Sequence, residues 1–284
     1  MTTLVVGATG RLGPHLVKAV DAAGRPVSAL VRDPVRAAGI LPSAARIVVG
    51  DFTRPDTLDR ALEGIEAIVL LTPHGPSMAD VQIDLVARAA DAGVRVVKIS
   101  GTSTGIRPDG PEACRRHWEV ERAVIGSGAR HVILRPNAFM QGLVAGVIAT
   151  AARSGVVNDP ISKKGISAVD CRDIADVTAA VLANPAYDGR TLTLTGPESV
   201  TFAGLAACLR ACGTRAEVRT SSPPEAAAAA RAHGVTAWEA RHLEEMLTLF
   251  ANGGADFVTA DVEETTGHPP RSVRAFIEEN VPAR

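Results

Sequence analysis

The sequence predicts an α/β fold in which a doubly wound parallel sheet is joined to a smaller, mostly helical C-terminal lobe. Three observations predict it. Short runs of Val, Ile and Leu alternate with longer amphipathic stretches in the first half, a glycine-rich turn follows the first run, and the alternation loosens after Pro136. Runs that are apolar throughout are typical of strands buried on both faces, as in parallel sheets covered by helices. Hydrophobic residues make up 46% of the 284 residues, which is enough for a large core.

Each apolar run predicts a strand, and each amphipathic stretch between runs predicts a helix. The predicted strands cover residues 3–6, 26–31, 47–49, 67–71, 94–99, 131–134 and 191–195. The predicted helices cover residues 12–23, 56–62, 78–92, 112–125, 138–154, 174–182, 202–212, 223–232 and 237–250.

Composition and charge exclude several classes of protein. With 30 Lys and Arg against 31 Asp and Glu, the chain has no basic excess for nucleic acid. No window approaches the roughly 20 apolar residues of a membrane span, and the first residues lack the basic region of a secretory signal. The four cysteines form no Cys-x-x-Cys pair. The sequence therefore predicts a cytoplasmic protein with reduced cysteines, no metal, no nucleic-acid partner and no membrane partner, and it is compatible with a homodimer.

A glycine-rich turn links the first strand to the first helix. Gly7 permits a tight turn, Gly10 lets the backbone approach a pyrophosphate, and Gly13 permits close packing of helix on strand. The N–H groups at the helix start would then face the anion. The alternative is a structural turn that binds nothing, but its place between a strand and a helix favours a Rossmann-type dinucleotide site. The cofactor-binding residues predicted in this turn are Gly7, Thr9, Gly10, Arg11, Leu12 and Gly13.

The end of the second strand bears on the choice of cofactor. Arg32 comes first after the strand, where a guanidinium can bind a 2′-phosphate. Asp33 competes with this reading, because an acid about 20 residues after the glycine turn is typical of NAD binding. Arg11 adds a second cation. The sequence predicts NADP(H) in preference to NAD(H), with a solvated loop role for Arg32 as the alternative.

Other strand ends supply the remaining predicted cofactor contacts, because ligands bind at the carboxyl ends of strands in open sheets. Asp51 is predicted to accept from the adenine amino group, with a turn role as an equal alternative, and Phe52 to lie against the ring. Residues 1–150, with about 165–183, are assigned to the Rossmann domain and residues 184–284 to a small substrate-binding lobe, with a discontinuous boundary. The further residues predicted to line the cofactor are Leu71, Thr72, Pro73, Ser100 and Pro136.

Several motifs together resemble the NmrA-like atypical short-chain dehydrogenases over essentially the whole chain. The resemblance implies an NAD(P)-binding Rossmann domain with a small C-terminal substrate lobe. It also implies either a reductase of quinones, aromatic ketones or benzylic ethers, or an NADP-sensing regulator without turnover. The motifs are Gly7–Gly13, Leu30–Pro34, Gly50–Phe52, Arg135–Met140, Asp170–Asp173 and Thr266–Ser272.

The catalytic pair of ordinary short-chain dehydrogenases is missing from the sequence. Those enzymes use a Tyr and a Lys four residues apart on the helix after the fifth strand. The single tyrosine here, Tyr187, lies in a turn far along the chain, and Thr191 stands four residues after it. The sequence therefore excludes the usual tyrosine-based carbonyl reduction.

The helix over residues 112–125 offers a histidine instead. His117 and Glu121 share a helix face, and the resemblance places a similar histidine here in quinone-reducing members. His117 is predicted either to donate a proton to a substrate oxygen or to order the helix start, with equal weight. Glu121 is predicted to be a surface or orienting residue. Lys98 is predicted to extend its ammonium from the strand to solvent, with a charge on the inner face as the alternative.

The predicted function is hydride transfer from NAD(P)H to a quinone or polycyclic aromatic carbonyl compound. Such acceptors suit a site with a weak acid, because the product anion is delocalised and stacking on the nicotinamide sets the barrier. The alternatives are an NADP(H)-sensing regulatory protein and an isomerase or lyase that retains its cofactor. The predicted substrate contacts are His74, Trp118, Asn137, Phe139 and Met140, with a chance loop position for His74 and core packing for Phe139 and Met140 as alternatives.

Overall fold

A computed structural model describes residues 2–281 and contains a central sheet. The strands in these residues are β1 Thr3–Val5, β2 Val27–Val31, β3 Arg46–Val49, β4 Ala67–Leu70, β5 Arg95–Ile99, β6 His131–Pro136, β7 Val156–Asp159, β8 Thr191–Leu194 and β9 Glu217–Thr220. The central sheet of the described chain has seven strands in the order β3-β2-β1-β4-β5-β6-β8, and β7 pairs with β9 in a separate sheet.

The helices of the described residues alternate with the strands in the first half of the chain. They are α1 Gly13–Ala22, α2 Pro34–Ala38, α3 Pro55–Leu62, α4 Met78–Asp91, α5 Glu112–Gly126, α6 Leu143–Ser154, α7 Cys171–Ala183, α8 Phe202–Ala211, α9 Pro223–Ala232, α10 Ala237–Ala251, α11 Asp261–Thr266 and α12 Val273–Asn280.

The central sheet is parallel and is covered by helices on both faces. From β3 to β6, each neighbouring pair of strands runs in parallel. Ile133 donates to the carbonyl of Arg190 and Asn137 to that of Leu194, so β8 runs in the same direction as β6. Buried residues of α3, α4 and α5 pack with the sheet in one core, while α1 packs against α7. The predicted doubly wound α/β fold is confirmed.

The chain forms two compact units, and each takes up about half of it. One unit comprises Met1–Ser100, Arg116–Arg135 and Cys171–Leu192. The other comprises Gly101–Arg115, Pro136–Asp170 and Thr193–Arg284. The assignment of residues 1–150 and about 165–183 to the cofactor domain stays a prediction.

In the first unit, the returning segment of residues 171–192 is held by packing and by one buried arginine. The α7 helix lies against α1, whose Leu16, Val17 and Val20 are buried. From β5, Arg95 donates to the carbonyls of Val181 and Leu182 at the end of α7 at 2.9 and 3.3 Å. These hydrogen bonds satisfy the last carbonyls of that helix.

The second unit is mostly helical. Its core is formed mainly by α6, α8, α10 and α12, and Cys208 and Cys212 pack against it as partly buried apolar residues. The helices α9 and α10 begin with capping boxes, in which Ser222 and Thr236 are paired with the glutamates three residues later. Both helices start where the sequence predicts them.

Some elements differ from the sequence prediction. The helix predicted to begin at Ala138 begins at Leu143, because residues 138–140 form bridge-like contacts with Val169 instead. The β7–β9 ribbon was not predicted, since β9 is exposed at all four residues and has no apolar alternation.

Between residues 2 and 281, no helix is both long and apolar enough to cross a membrane.

Candidate functional site

The glycine turn has the shape of an anion cradle. Gly7 has a φ of +70°, and a Cβ there would lie 2.5 Å from the carbonyl oxygen of Leu71. A Cβ on Gly13 would collide with the carbonyl of Ala8, so the helix start can approach the turn only with glycine there. Leu12 precedes α1 and offers no side-chain cap, Pro14 has no N–H, and the N–H of His15 donates to the carbonyl of Leu12. The N–H of Gly13 at the helix start is therefore the one placed to meet an anion. Of the other turn residues, Thr9 is half-buried, and Gly10 and Arg11 are exposed.

The ends of β2 and β3 bring Arg32 and Asp51 together. Asp51 accepts hydrogen bonds from the backbone N–H and the hydroxyl of Thr53, both at 2.8 Å. These bonds, together with the positive charges of Arg32 and Arg54, hold the pKa of Asp51 below its usual value. The carboxylate of Asp51 therefore serves a turn in this structure, as the alternative stated. Arg32 is exposed.

Asp33 has a structural role at the start of α2. It is the N-cap of α2, and its carboxylate accepts from the N–H groups of Val35 and Arg36 at 3.0 Å each. Phe52 is half-buried and packs against the core of the first unit.

The ends of β4 and β5 lie beside the turn, because β4 pairs with both β1 and β5. Leu71 contacts Gly7, and the buried Thr72 accepts a 2.7 Å hydrogen bond from the amide of Gln82. Pro73 is exposed, and Ser100 is buried at the end of β5. The cofactor residues predicted from β1 to β5 therefore lie at one edge of the sheet.

At this edge, β5 carries a lysine that is fully buried. Lys98 has 0% exposure, and its ammonium lies 3.0 Å from Nδ1 of His117 on α5. The ammonium also donates to the carbonyl of Ile99. Burial lowers the pKa of Lys98 to about 7, and the negative charge of Glu121 opposes that shift. The prediction that Lys98 extends its ammonium to solvent was wrong, and its alternative, a charge on the inner face, holds.

Glu121 is buried and fixed by two neighbours. Ser100 donates to Oε1 at 2.6 Å, and Arg135 binds both carboxylate oxygens at 3.0 and 2.5 Å. A surface position is wrong for Glu121, which is 2% exposed, whereas an orienting role fits these contacts. We call Lys98, Ser100, His117, Glu121 and Arg135 the Lys98 cluster.

Two histidine rings meet beside this cluster. The ring of His74 stands edge-on to that of His117, with centroids 5.4 Å apart and an interplanar angle of 89°. His74 is exposed and His117 is 3% exposed. Trp118, the next residue on α5, is half-buried.

Tyr187 lies near the amino-terminal ends of the parallel strands, opposite the ends that carry the glycine turn. It belongs to a short 3-10 helix, Pro185–Tyr187, and Gly189 just after it donates to the carbonyl of His131, where β6 begins. The glycine turn, in contrast, follows the carboxyl end of β1. The side chain of Arg190 lies over the Tyr187 ring, 5.3 Å from its centroid.

The second unit holds four of the predicted site residues. Asn137 is 2% exposed, and its amide donates to the Ser167 hydroxyl at 2.8 Å and the Ala255 carbonyl at 3.1 Å. Met140 is fully buried in the core of this unit. Pro136 is buried and Phe139 is half-buried. Contact of these residues with a cofactor or substrate stays a prediction.

Sequence reasoning missed the burial of Lys98 and Glu121. The available signal was the spacing in β5: Lys98 shares a sheet face with Val96, which packs in the core with Val120 and Val124 of α5. A lysine on that face is enclosed by α5.

In the part of the chain that the structure describes, no group of three His, Cys, Asp or Glu side chains could hold a metal ion.

Comparisons with known proteins identify a family model, curated relatives and a solved structure that are similar to this chain. The model of a family described as NAD(P)H-binding matches residues 7–185. The chain is 31% identical to an NAD(P)H azoreductase of Xenophilus azovorans over 278 residues, covering 96% of each chain. It is 24% identical to quinone oxidoreductase 2 of Escherichia coli, covering 93% of each. The crystal structure of the NADPH-dependent quinone oxidoreductase of E. coli with NADPH matches with a TM-score of 0.88 and 22% identity, over 98% of this chain and 99% of that one.

Proposed function

The chain belongs to the NAD(P)H-binding family, and we propose that it reduces a quinone or a polycyclic aromatic carbonyl compound with NADPH. The resemblance to the NmrA-like atypical short-chain dehydrogenases, and with it the prediction of an NAD(P)H-dependent reductase, is confirmed by these relatives. The preference for NADPH and the substrate class are proposals. Both proposals are argued from residues at the carboxyl ends of the sheet strands.

The observation that carries the proposal is the setting of His117. This ring is fixed by Lys98 at the edge that holds the glycine turn, while the single tyrosine lies at the other edge. A histidine is therefore the acid at hand, in place of a Tyr-Lys pair. Quinones and extended aromatic ketones suit such an acid, because the charge left after hydride addition is spread over the ring system.

The glycine turn is suited to the pyrophosphate of the cofactor, and the exposed Arg32 and Arg11 to a 2′-phosphate. When bound, NADPH supplies the hydride. His117 donates a hydrogen bond and then a proton to the acceptor oxygen of the substrate. His117 is 3% exposed and the exposed ring of His74 lies edge-on to it. We propose that rotation of the His74 side chain, a fast motion for an exposed residue, gives the substrate oxygen access to His117.

The test is an acceptor panel with the full-length protein and NADPH. The panel contains benzoquinones, naphthoquinones, anthraquinones, a polycyclic aromatic ketone and an azo dye, and loss of nicotinamide absorbance is followed. We expect oxidation of NADPH that depends on a quinone or the ketone. Oxidation with the azo dye alone would overturn the substrate class. Tight NADPH binding with no oxidation by any acceptor would overturn turnover itself and favour the NADP(H)-sensing alternative.

The cofactor preference is tested by Arg32→Ala. We expect the Kd for NADPH to rise about 30-fold, or about 2 kcal/mol, while that for NADH changes little, because only NADPH has a 2′-phosphate for the guanidinium. Calorimetry measures both constants. The matched control is Arg46→Ala. Arg46 is an exposed arginine at the amino-terminal end of β3, away from the strand ends that carry the glycine turn. Equal losses for both cofactors would refute the 2′-phosphate role.

The role of His117 is tested by His117→Ala. We expect kcat to fall about 100-fold with the Kd for NADPH unchanged, because the variant lacks a proton donor but keeps the glycine turn. His131→Ala is the control, since His131 begins β6 at the opposite edge. An unchanged kcat would assign His117 to helix structure alone.

A further inference from the structure

Packing of β5 does not require a charged side chain at position 98. The strand is buried at all five residues, and Val96 and Ile99 show that apolar side chains fit there. An apolar side chain such as methionine would fill this volume without removing a charge from water. The hydrogen-bond partners of the Lys98 ammonium are Nδ1 of His117 and the carbonyl of Ile99, and not the carboxylate of Glu121. The lysine is therefore placed to act on the histidine.

Titratable groups approach His117 from three parts of the first unit. Lys98 reaches it from β5, Glu121 lies one turn further along α5, and His74 approaches from the segment after β4. Arg135 of β6 binds both carboxylate oxygens of Glu121. Two cations thus flank one carboxylate, and the histidine contacts one of these cations directly.

The geometry fixes the state of the histidine when Lys98 is charged. An ammonium can only donate, so Nδ1 of His117, 3.0 Å away, must accept. A neutral ring then carries its proton on Nε2. The ring thus offers Nε2–H as its donor while a second proton lies within reach of Nδ1.

We infer that Lys98 is a positioning residue that sets the tautomer of His117 and replaces the proton that His117 gives away. The inference rests on the proposed function and deepens it. The Nε2–H bond breaks as the substrate O–H bond forms, while an N–H bond of Lys98 breaks as Nδ1–H forms. The ring remains neutral throughout and Lys98 ends as a neutral amine. After product leaves, Nε2 takes a proton from water and Nδ1 returns its proton to Lys98.

The protonation of Lys98 supports this role near neutral pH. Burial lowers its pKa to about 7, while Glu121 keeps it from falling further. Both forms of the amine are therefore accessible under ordinary conditions, as a proton reserve requires.

An NMR experiment on the full-length protein tests the inference without turnover. The chain has four lysines, Lys18, Lys98, Lys163 and Lys164, and seven histidines, so 13Cε-lysine and 15N-histidine labels give few signals. Below pH 7 we expect His117 to be the Nε2–H tautomer, and one lysine to titrate near pH 7. In Lys98→Met, that titration should vanish and the His117 tautomer should become mixed. Lys18→Met, on the exposed face of α1, should change neither.

Two NMR results would overturn the inference even if the protein is an active reductase. One is a Lys98 signal that titrates near the usual lysine range. The other is a His117 tautomer that is the same in Lys98→Met as in the parent. Failure of the acceptor panel would instead refute the proposed function and leave the NMR result standing.

The pH profile of single-turnover reduction, measured with bound NADPH, gives the second readout. The acid form of Lys98 is the one that supplies the proton, so the parent rate should fall as pH rises through about 7. Lys98→Met should be roughly 10-fold slower and should lose this step in the profile, with NADPH affinity unchanged. A parent profile retained in Lys98→Met would overturn the relay.

Discussion

Replacing Glu121 by alanine is expected to lower the free energy of unfolding by about 3–5 kcal/mol. The substitution removes the carboxylate that binds Arg135 and Ser100 and leaves the buried Lys98 without its nearby negative charge. Breaking one partner of a buried charged network costs more than the network's net contribution, because the remaining charge stays out of water. Urea denaturation at neutral pH measures the change.

The control for this variant lies on the same helix. Glu119→Ala removes a half-exposed carboxylate that pairs with Arg116 three residues earlier, and it should cost about 0.5 kcal/mol or less. Glu121→Gln, which retains the shape and part of the hydrogen bonding, should fall between the two. A loss for Glu121→Ala no larger than that for Glu119→Ala would contradict the description of a coupled buried network.

Gly13→Ala is expected to weaken NADPH binding about 100-fold, or about 3 kcal/mol. The added Cβ would lie against the carbonyl of Ala8 and 2.5 Å from that of Gly7, so the turn and the start of α1 must separate. The N–H groups that converge on a pyrophosphate would then diverge. Calorimetry with NADPH measures the affinity, and circular dichroism shows that the variant is folded.

Gly126→Ala is the control for this result. A Cβ on Gly126, at the end of α5, meets no atom within 4 Å, so that variant should bind as the parent does. NADPH affinity unaffected by Gly13→Ala would contradict the cofactor role of the turn.

The sheet was predictable because each of its strands corresponds to a short apolar run that can be identified from local sequence. The β2 strand, Val27–Val31, is buried at all five residues and is apolar except for Ser28, so a short run of sequence identifies it. The helix α9 was predictable from the two prolines at its start and from the helix formers that follow them. The β7–β9 ribbon was not, because its stability comes from pairing between residues about 60 positions apart and β9 is exposed.

In the candidate site, too, the local motif was predictable from the sequence and the long-range cluster was not. The glycine turn is a local motif, and its residues could be assigned in order. The Lys98 cluster depends on contacts between β5, α5 and β6, and nothing adjacent to Lys98 in sequence indicates that His117 and Glu121 enclose it. The turn role of Asp51 was visible as an alternative, since Thr53 follows it at the spacing of an Asx turn.

The return of residues 171–192 to the first unit has a consequence for synthesis of the chain. Until α7 has left the ribosome, α1 with its buried Leu16, Val17 and Val20 lacks the packing that α7 provides, and Arg95 lacks the carbonyls of Val181 and Leu182. The glycine turn is made well before residues 171–192, yet the unit that contains it completes its fold only after that segment has emerged. The nascent chain must therefore remain protected from aggregation over that interval.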